Sequence, residues 1–159
     1  MAVRWAWEIL NNNGVIYFCG NGASAAMASH MSIDWLKCAG IRSLCFNDSA
    51  SLTAIGNDVG YAEVFSLPLT RLAGSRDLLV TISSSGNSPN VVKALETAKQ
   101  MGVRSVSFSG FDPKNRSRSL ADLNFYVPTS TYGLTESCHQ VILHAWLDLY
   151  ISLHSQPKE

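Results

Sequence analysis

Residues 77–90 read DLLVTISSSGNSPN. The first six, Asp77–Ile82, form a cleanly bounded apolar run, the composition of a strand buried on both faces. Three hydroxyls, a glycine and a further hydroxyl follow, at Ser83, Ser84, Ser85, Gly86 and Ser88. Ser88 and Pro89 suit the first turn of a helix and Gly102 its end, which predicts a helix over Ser88–Met101.

The same alternation repeats outward. Val15–Cys19 (VIYFC) reads as a strand, Gly20–Gly22 punctuate it, and Ser24–Cys38 reads as a helix. Further strands are expected at Ile41–Phe46, Val103–Phe108 and Asn124–Val127. Further helices are expected at Ser51–Asn57 and Glu63–Leu72, with a long closing helix over Leu134–Leu153. Asp112–Ser119 reads as a polar surface loop, and Met1–Asn13 holds one short helix, Ala2–Asn11. Apolar strands alternating with helices predict an α/β fold with a parallel sheet covered on both faces. No linker or internal repeat divides the chain, so one domain over residues 1–159 is expected.

Composition narrows the function classes. With 47% apolar and 15% charged residues, the chain has the makings of a packed core. Lys+Arg and Asp+Glu number 12 each, so no basic surplus favours nucleic acid or an anionic membrane as partner. No apolar run reaches the ~18 residues of a membrane span. Met1–Trp7 lacks the apolar core of a secretory signal. Cys19, Cys38, Cys45 and Cys138 show no CxxC spacing and are expected as reduced cysteines in a cytoplasmic core. Cys19 has no evident base beside it in sequence and is expected buried rather than nucleophilic. Trp5 and Trp7 are expected partly exposed or covered by a second subunit, and Trp35 and Trp146 in the core or at an interface.

Ligands of open α/β sheets sit at the carboxyl ends of the strands. Two such ends carry small polar residues: 19–24 (CGNGAS) and 83–88 (SSSGNS). In the second, hydroxyls lead into a helix N-terminus, where N–H groups and the helix dipole favour an anion. No P-loop lysine follows, so a phosphate monoester fits better than a nucleoside triphosphate. A Ser/Gly turn with Ser88 as an ordinary cap is the competing reading. Gly20-Asn21-Gly22 is a weaker signal, equally consistent with a tight turn that holds no ligand.

His30 and Asp34 are spaced i, i+4 and share a helix face suited to a metal or to acid–base work. Glu136, His139 and His144 lie near the start of the last helix, and Asp48 and Asp58 in loops. Glu136 and His144 are eight residues apart, about 12 Å of rise on a regular helix. They reach one metal only if Glu136 lies on a non-helical lead-in, or if the two come from different subunits.

These motifs together resemble the sugar isomerase (SIS) domain: CGNGAS (19–24), LTAIGND (52–58), Gly60-Tyr61 with Val64-Phe65, and ISSSGNSPN (82–90). Within it they resemble the phosphoheptose isomerases, over about Gly14 to Leu153. The resemblance implies a five-stranded parallel sheet in a three-layer α/β/α sandwich, assembled as a homotetramer with active sites at subunit interfaces. It implies interconversion of D-sedoheptulose 7-phosphate and D-glycero-D-manno-heptose 7-phosphate, for lipopolysaccharide or capsule heptose, in the cytoplasm.

By the same resemblance Ser83, Ser84, Ser85 and Ser88 bind phosphate. Asn21, Gly22, Ala23 and Ser24 line the sugar, with Asn57 and Asp58 nearby. A zinc site maps to His30, Asp34, Glu136 and His144, with Asp34 the base and His144 the acid. The chain departs from the family pattern at Asp34 (glutamate there), Glu136 (glutamine), Gly133 (aspartate) and Leu134 (arginine). Those departures keep two other expectations open: an isomerase of another phosphosugar, and a non-catalytic module that senses a sugar phosphate or binds a protein, of the initiator-associating type. Retention of His144 and of a carboxylate at 34 counts against the second.

Overall fold

The computed structural model describes residues 1–154. The elements in chain order are α1 (Ala2–Asn11), β1 (Ile16–Gly20), α2 (Ala23–Ala39), β2 (Ser43–Cys45), α3 (Ser49–Asp58) and a 3-10 turn (Tyr61–Glu63). Then come α4 (Ser66–Leu72), β3 (Leu78–Ser83), α5 (Pro89–Met101), β4 (Arg104–Gly110), α6 (Arg116–Leu120), β5 (Leu123–Val127) and α7 (Tyr132–His154). The five strands form one sheet in the order β2-β1-β3-β4-β5, every neighbour pair parallel.

Strand alternation sends successive side chains to opposite faces. Ile16, Phe18, Val80, Ile82 and Phe108 pack under α1, α2 and α7, while Tyr17, Cys19 and Leu79 pack under α4 and α5. Both faces are therefore covered, which is why β1 and β3 read as largely apolar runs. Trp35 is fully buried against Trp146, with ring centroids 4.9 Å apart. Trp5 is half-buried, its ring under the Arg104 guanidinium, and Trp7 is 46% exposed.

The sheet order reverses between β1 and β3, with β2 outside one and β4 outside the other. Gly20 pairs with Ile82, so the two strands end at the same level. Their following loops diverge to opposite faces and leave a crevice, the topological switch point.

Several expectations are corrected. β2 shortens to Ser43–Cys45. The helix expected over Glu63–Leu72 splits into the 3-10 turn and α4, with Val64 and Phe65 fully buried between them. Asp112–Ser119 is not wholly a surface loop. Asn115 caps α6 by accepting the Arg118 N–H (2.9 Å), and Asn115 and Ser117 are buried. The cysteines are free but do not all lie in the core: Cys19 is buried, Cys45 half-buried, and Cys38 and Cys138 exposed. Burial, with Cys45 nearby, pushes the Cys19 thiol far above its ordinary range, so it stays protonated. Among the described residues no helix is long and apolar enough to cross a membrane.

Candidate active site

The crevice holds a cavity of about 250 Å³. Asn21, Gly22, Ala23 and Ser24 line one side, Ser83, Ser84, Ser85 and Ser88 the other, and Tyr132 and Glu136 close it from α7. Gly22 precedes α2 with φ 57°, a left-handed conformation that suits glycine. No side chain caps α2, and Ser88 makes no cap bond to α5. The first turn of α2 is thus left without a side-chain acceptor, whereas in α5 Pro89 has no N–H and the Val91 N–H donates to the Asn90 Oδ1 at 3.0 Å. The Ser88 Oγ lies 3.3 Å from the Ser83 Oγ instead, which removes the ordinary-cap reading of Ser88. The Ser84 Oγ is buried without a partner at the cavity wall, a cost that a ligand oxygen would relieve. The walls carry no Lys or Arg, so attraction for an anion comes from hydroxyls, N–H groups and helix N-termini.

A second set of residues fixes the two loops to each other. Asn21 and Asn90 exchange amide hydrogen bonds, each 2.9 Å, and the Tyr61 hydroxyl donates to the Asn21 Oδ1 at 3.3 Å. Asn90 is 2% exposed. Neither Asn90 nor Tyr61 stands out in sequence as a site residue. Tyr132 also escapes, because only the docking of α7 brings it to the cavity.

Further along α2 and α7, which pack side by side, His30, Asp34 and His144 converge. One ligand atom from each lies within 4.8 Å of the others. His30 Nε2 is 3.2 Å from Asp34 Oδ2, and Lys37 Nζ is 3.5 Å from Asp34 Oδ1. The rings of His30 and His144 meet edge to face at 5.3 Å. Gln140, one turn before His144, sets its side-chain amide against the His144 Nε2. Two imidazoles and a carboxylate on one open face can hold a metal ion.

Glu136 is not in this group. α7 is helical from Tyr132, so Glu136 has no non-helical lead-in and stands about 12 Å up the helix from His144. Ser24 precedes His30 by about 9 Å on α2. The His–Asp–His cluster therefore lies about two helical turns from the cavity along both α2 and α7. Asn57 and Asp58 end α3, with the Asn57 amide donating to the Asp58 carboxylate at 2.8 Å, and do not line the cavity.

The SIS domain model matches residues 1–110, and the chain belongs to that family. Relatives there include phosphoheptose isomerases. One from Helicobacter pylori (strain Shi470) is 38% identical over 147 residues, 89% of this chain and 76% of that protein. One from Bordetella avium (strain 197N) is 37% identical over 157 residues, 92% and 79% of the two chains. The solved structure of the phosphoheptose isomerase from Neisseria gonorrhoeae superposes with a TM-score of 0.87 at 33% identity, covering 95% of this chain and 83% of that one.

Proposed function

We propose that the protein is an aldose–ketose isomerase acting on D-sedoheptulose 7-phosphate, with D-glycero-D-manno-heptose 7-phosphate as product. The observation that carries this is the cavity at the switch point, walled by serine hydroxyls and by the start of α2, which no side chain caps. The likeness to phosphoheptose isomerases over nine-tenths of the chain supports the choice of sugar.

The chemistry follows from the side chains present. The Ser83–Ser88 loop holds the phosphate and so places the far end of the sugar. Asp34 takes a proton from the carbon beside the carbonyl and returns it to the former carbonyl carbon. His144 gives a proton to the carbonyl oxygen and accepts one from the neighbouring hydroxyl, so an enediol forms and collapses to the aldose. His30, Asp34 and His144 suit Zn²⁺, which would supply Lewis-acid polarisation of the carbonyl. In the homo-oligomer, expected as a tetramer, the working site is taken to draw its cavity from one protomer and its cluster from another.

Glu136 favours a second reading. It is the one charged side chain lining the cavity, where the family pattern has an amide. A carboxylate there alters which sugar hydroxyls are accepted, which fits a different phosphosugar. The test is zinc content of the purified protein together with NMR of its reaction with D-sedoheptulose 7-phosphate. Stoichiometric zinc with heptose phosphate formed is the expected outcome. Zinc with turnover only of another phosphosugar supports the second reading, and neither zinc nor turnover overturns both.

A further inference from the structure

The polar stretch at residues 112–118 buries an asparagine almost completely. Asn115 is 1% exposed. Its side-chain Nδ2 donates to Ser109 Oγ (3.2 Å), Gly110 O (3.2 Å) and Asp112 O (2.8 Å), while its Oδ1 accepts the Arg118 N–H. Both ends of the amide are satisfied, so its orientation is fixed. This amide lies directly against Gly86. A Cβ added to Gly86 would sit 2.1 Å from Asn115 Oδ1, and Gly86 holds φ 65°.

The helix that Asn115 caps also grips the loop. Ser117 N–H donates to Gly86 O (2.9 Å), and Arg116 N–H donates to Asn87 Oδ1 (2.9 Å). From below, Ser107 Oγ on β4 donates to Ser117 O (3.2 Å). The Gly86–Asn87 peptide is trans, so its N–H points away from its carbonyl. That N–H, on Asn87, donates to Ser85 Oγ at 3.2 Å. Ser85 lines the cavity. Its oxygen is engaged as an acceptor, which leaves its proton for a ligand oxygen. Successive hydrogen bonds of this kind polarise one another.

We infer that Asn115 and α6 position the phosphate loop: they orient the Gly86–Asn87 peptide, and through it the Ser85 hydroxyl, toward the anion. Asn115 is a positioning residue and touches no substrate. The inference rests on the phosphate-binding reading of residues 83–88. Preorganised donors cost no rearrangement on binding, so their loss shows in affinity rather than in the chemical step.

The experiment compares wild type, Asn115→Ala and Asn87→Ala in steady-state turnover of D-sedoheptulose 7-phosphate, with inorganic phosphate as competing ligand. For Asn115→Ala, KM and the phosphate inhibition constant rise together by about tenfold, with kcat within about threefold of wild type. Asn87 is exposed, and its alanine variant shifts both constants the same way by about threefold, as a cost near 0.7 kcal/mol gives. Zinc content stays unchanged, since the metal cluster lies elsewhere. Unchanged constants in both variants, or a loss confined to kcat, overturn the inference while leaving the phosphate site intact. Wild type indifferent to inorganic phosphate overturns the phosphate reading and this inference with it. Should Asn115→Ala fail to fold, Asn87→Ala decides alone.

Discussion

Trp35 is the largest side chain buried without any exposure, and its ring meets Trp146 and Tyr150 at 4.9 and 5.3 Å. Its indole N–H finds no acceptor. Shape and area, not hydrogen bonding, therefore account for its contribution. Trp35→Ala is expected to destabilise the fold by about 3–5 kcal/mol, read from urea unfolding followed by circular dichroism. Trp35→Phe is expected to cost less than half of that, because it keeps the ring contact and removes an unpaired donor. Equal losses in the two variants would contradict this account. Gly86 is constrained by its backbone rather than by its environment's apolarity. Gly86→Ala places a methyl into the Asn115 amide on a left-handed backbone, at an expected cost of about 1–3 kcal/mol in the same assay.

At the scale of elements, α7 matters most, because it carries both Glu136 and His144. Its attachment to the sheet includes His139, fully buried, whose Nε2–H donates to the Ser109 carbonyl at 3.1 Å and whose ring stands edge-on to Phe108. Burial lowers the His139 pKa, and the bond to Ser109 only partly offsets this. A histidine held neutral in the folded state binds fewer protons than its unfolded counterpart below about pH 6.5. Stability is thus undiminished by this group above that pH and falls as pH drops from there toward the lowered folded pKa. The slope is at most about 1.4 kcal/mol per pH unit. Melting temperatures between pH 7.5 and 5 are expected to fall for the wild type and to fall less steeply for His139→Gln, which keeps a donor without titrating. Elements were legible from sequence where one force dominated. β1 and β3 are covered on both faces and so appear as apolar runs, whereas β4 alternates Ser105, Ser107 and Ser109 with Val106 and Phe108. α6 was hidden, since residues 112–118 look like a solvated loop until they dock on Gly86 and Asn87. The serine walls of the cavity were legible for a topological reason, as both loops end neighbouring strands at the switch point. Tyr132, Asn90 and Gln140 were not, because their positions depend on how helices pack rather than on local spacing. The i, i+4 pair His30–Asp34 was legible, whereas its approach to His144 needed the packing of α2 on α7.

At the scale of the whole molecule, the proposed site has two chemical halves, the cavity and the His–Asp–His cluster, about two helical turns apart on one chain. The helices that carry them also expose apolar side chains: Ile33 and Leu36 on α2, and Leu134, Val141 and Leu149 on α7. An apolar face of this kind on the bearing helices fits burial against a second copy. The consequence can be counted. Ser84→Asp places a carboxylate in the proposed phosphate loop, and His144→Ala removes a side chain of the His–Asp–His cluster, so each variant alone is expected to be inactive. In an oligomer co-expressed from equal amounts of both, a site that draws its cavity and its cluster from different chains has an even chance of an intact half from each. About a quarter of wild-type activity should return if assembly is random. A site built within one chain carries a defect in every copy, and no activity returns. Turnover of D-sedoheptulose 7-phosphate by the mixed oligomer, with its size checked by sedimentation, separates the two. Recovery near a quarter places catalysis between subunits. Absence of recovery in a stable mixed oligomer places both halves on one chain, with the extended sugar phosphate spanning the two helical turns between them.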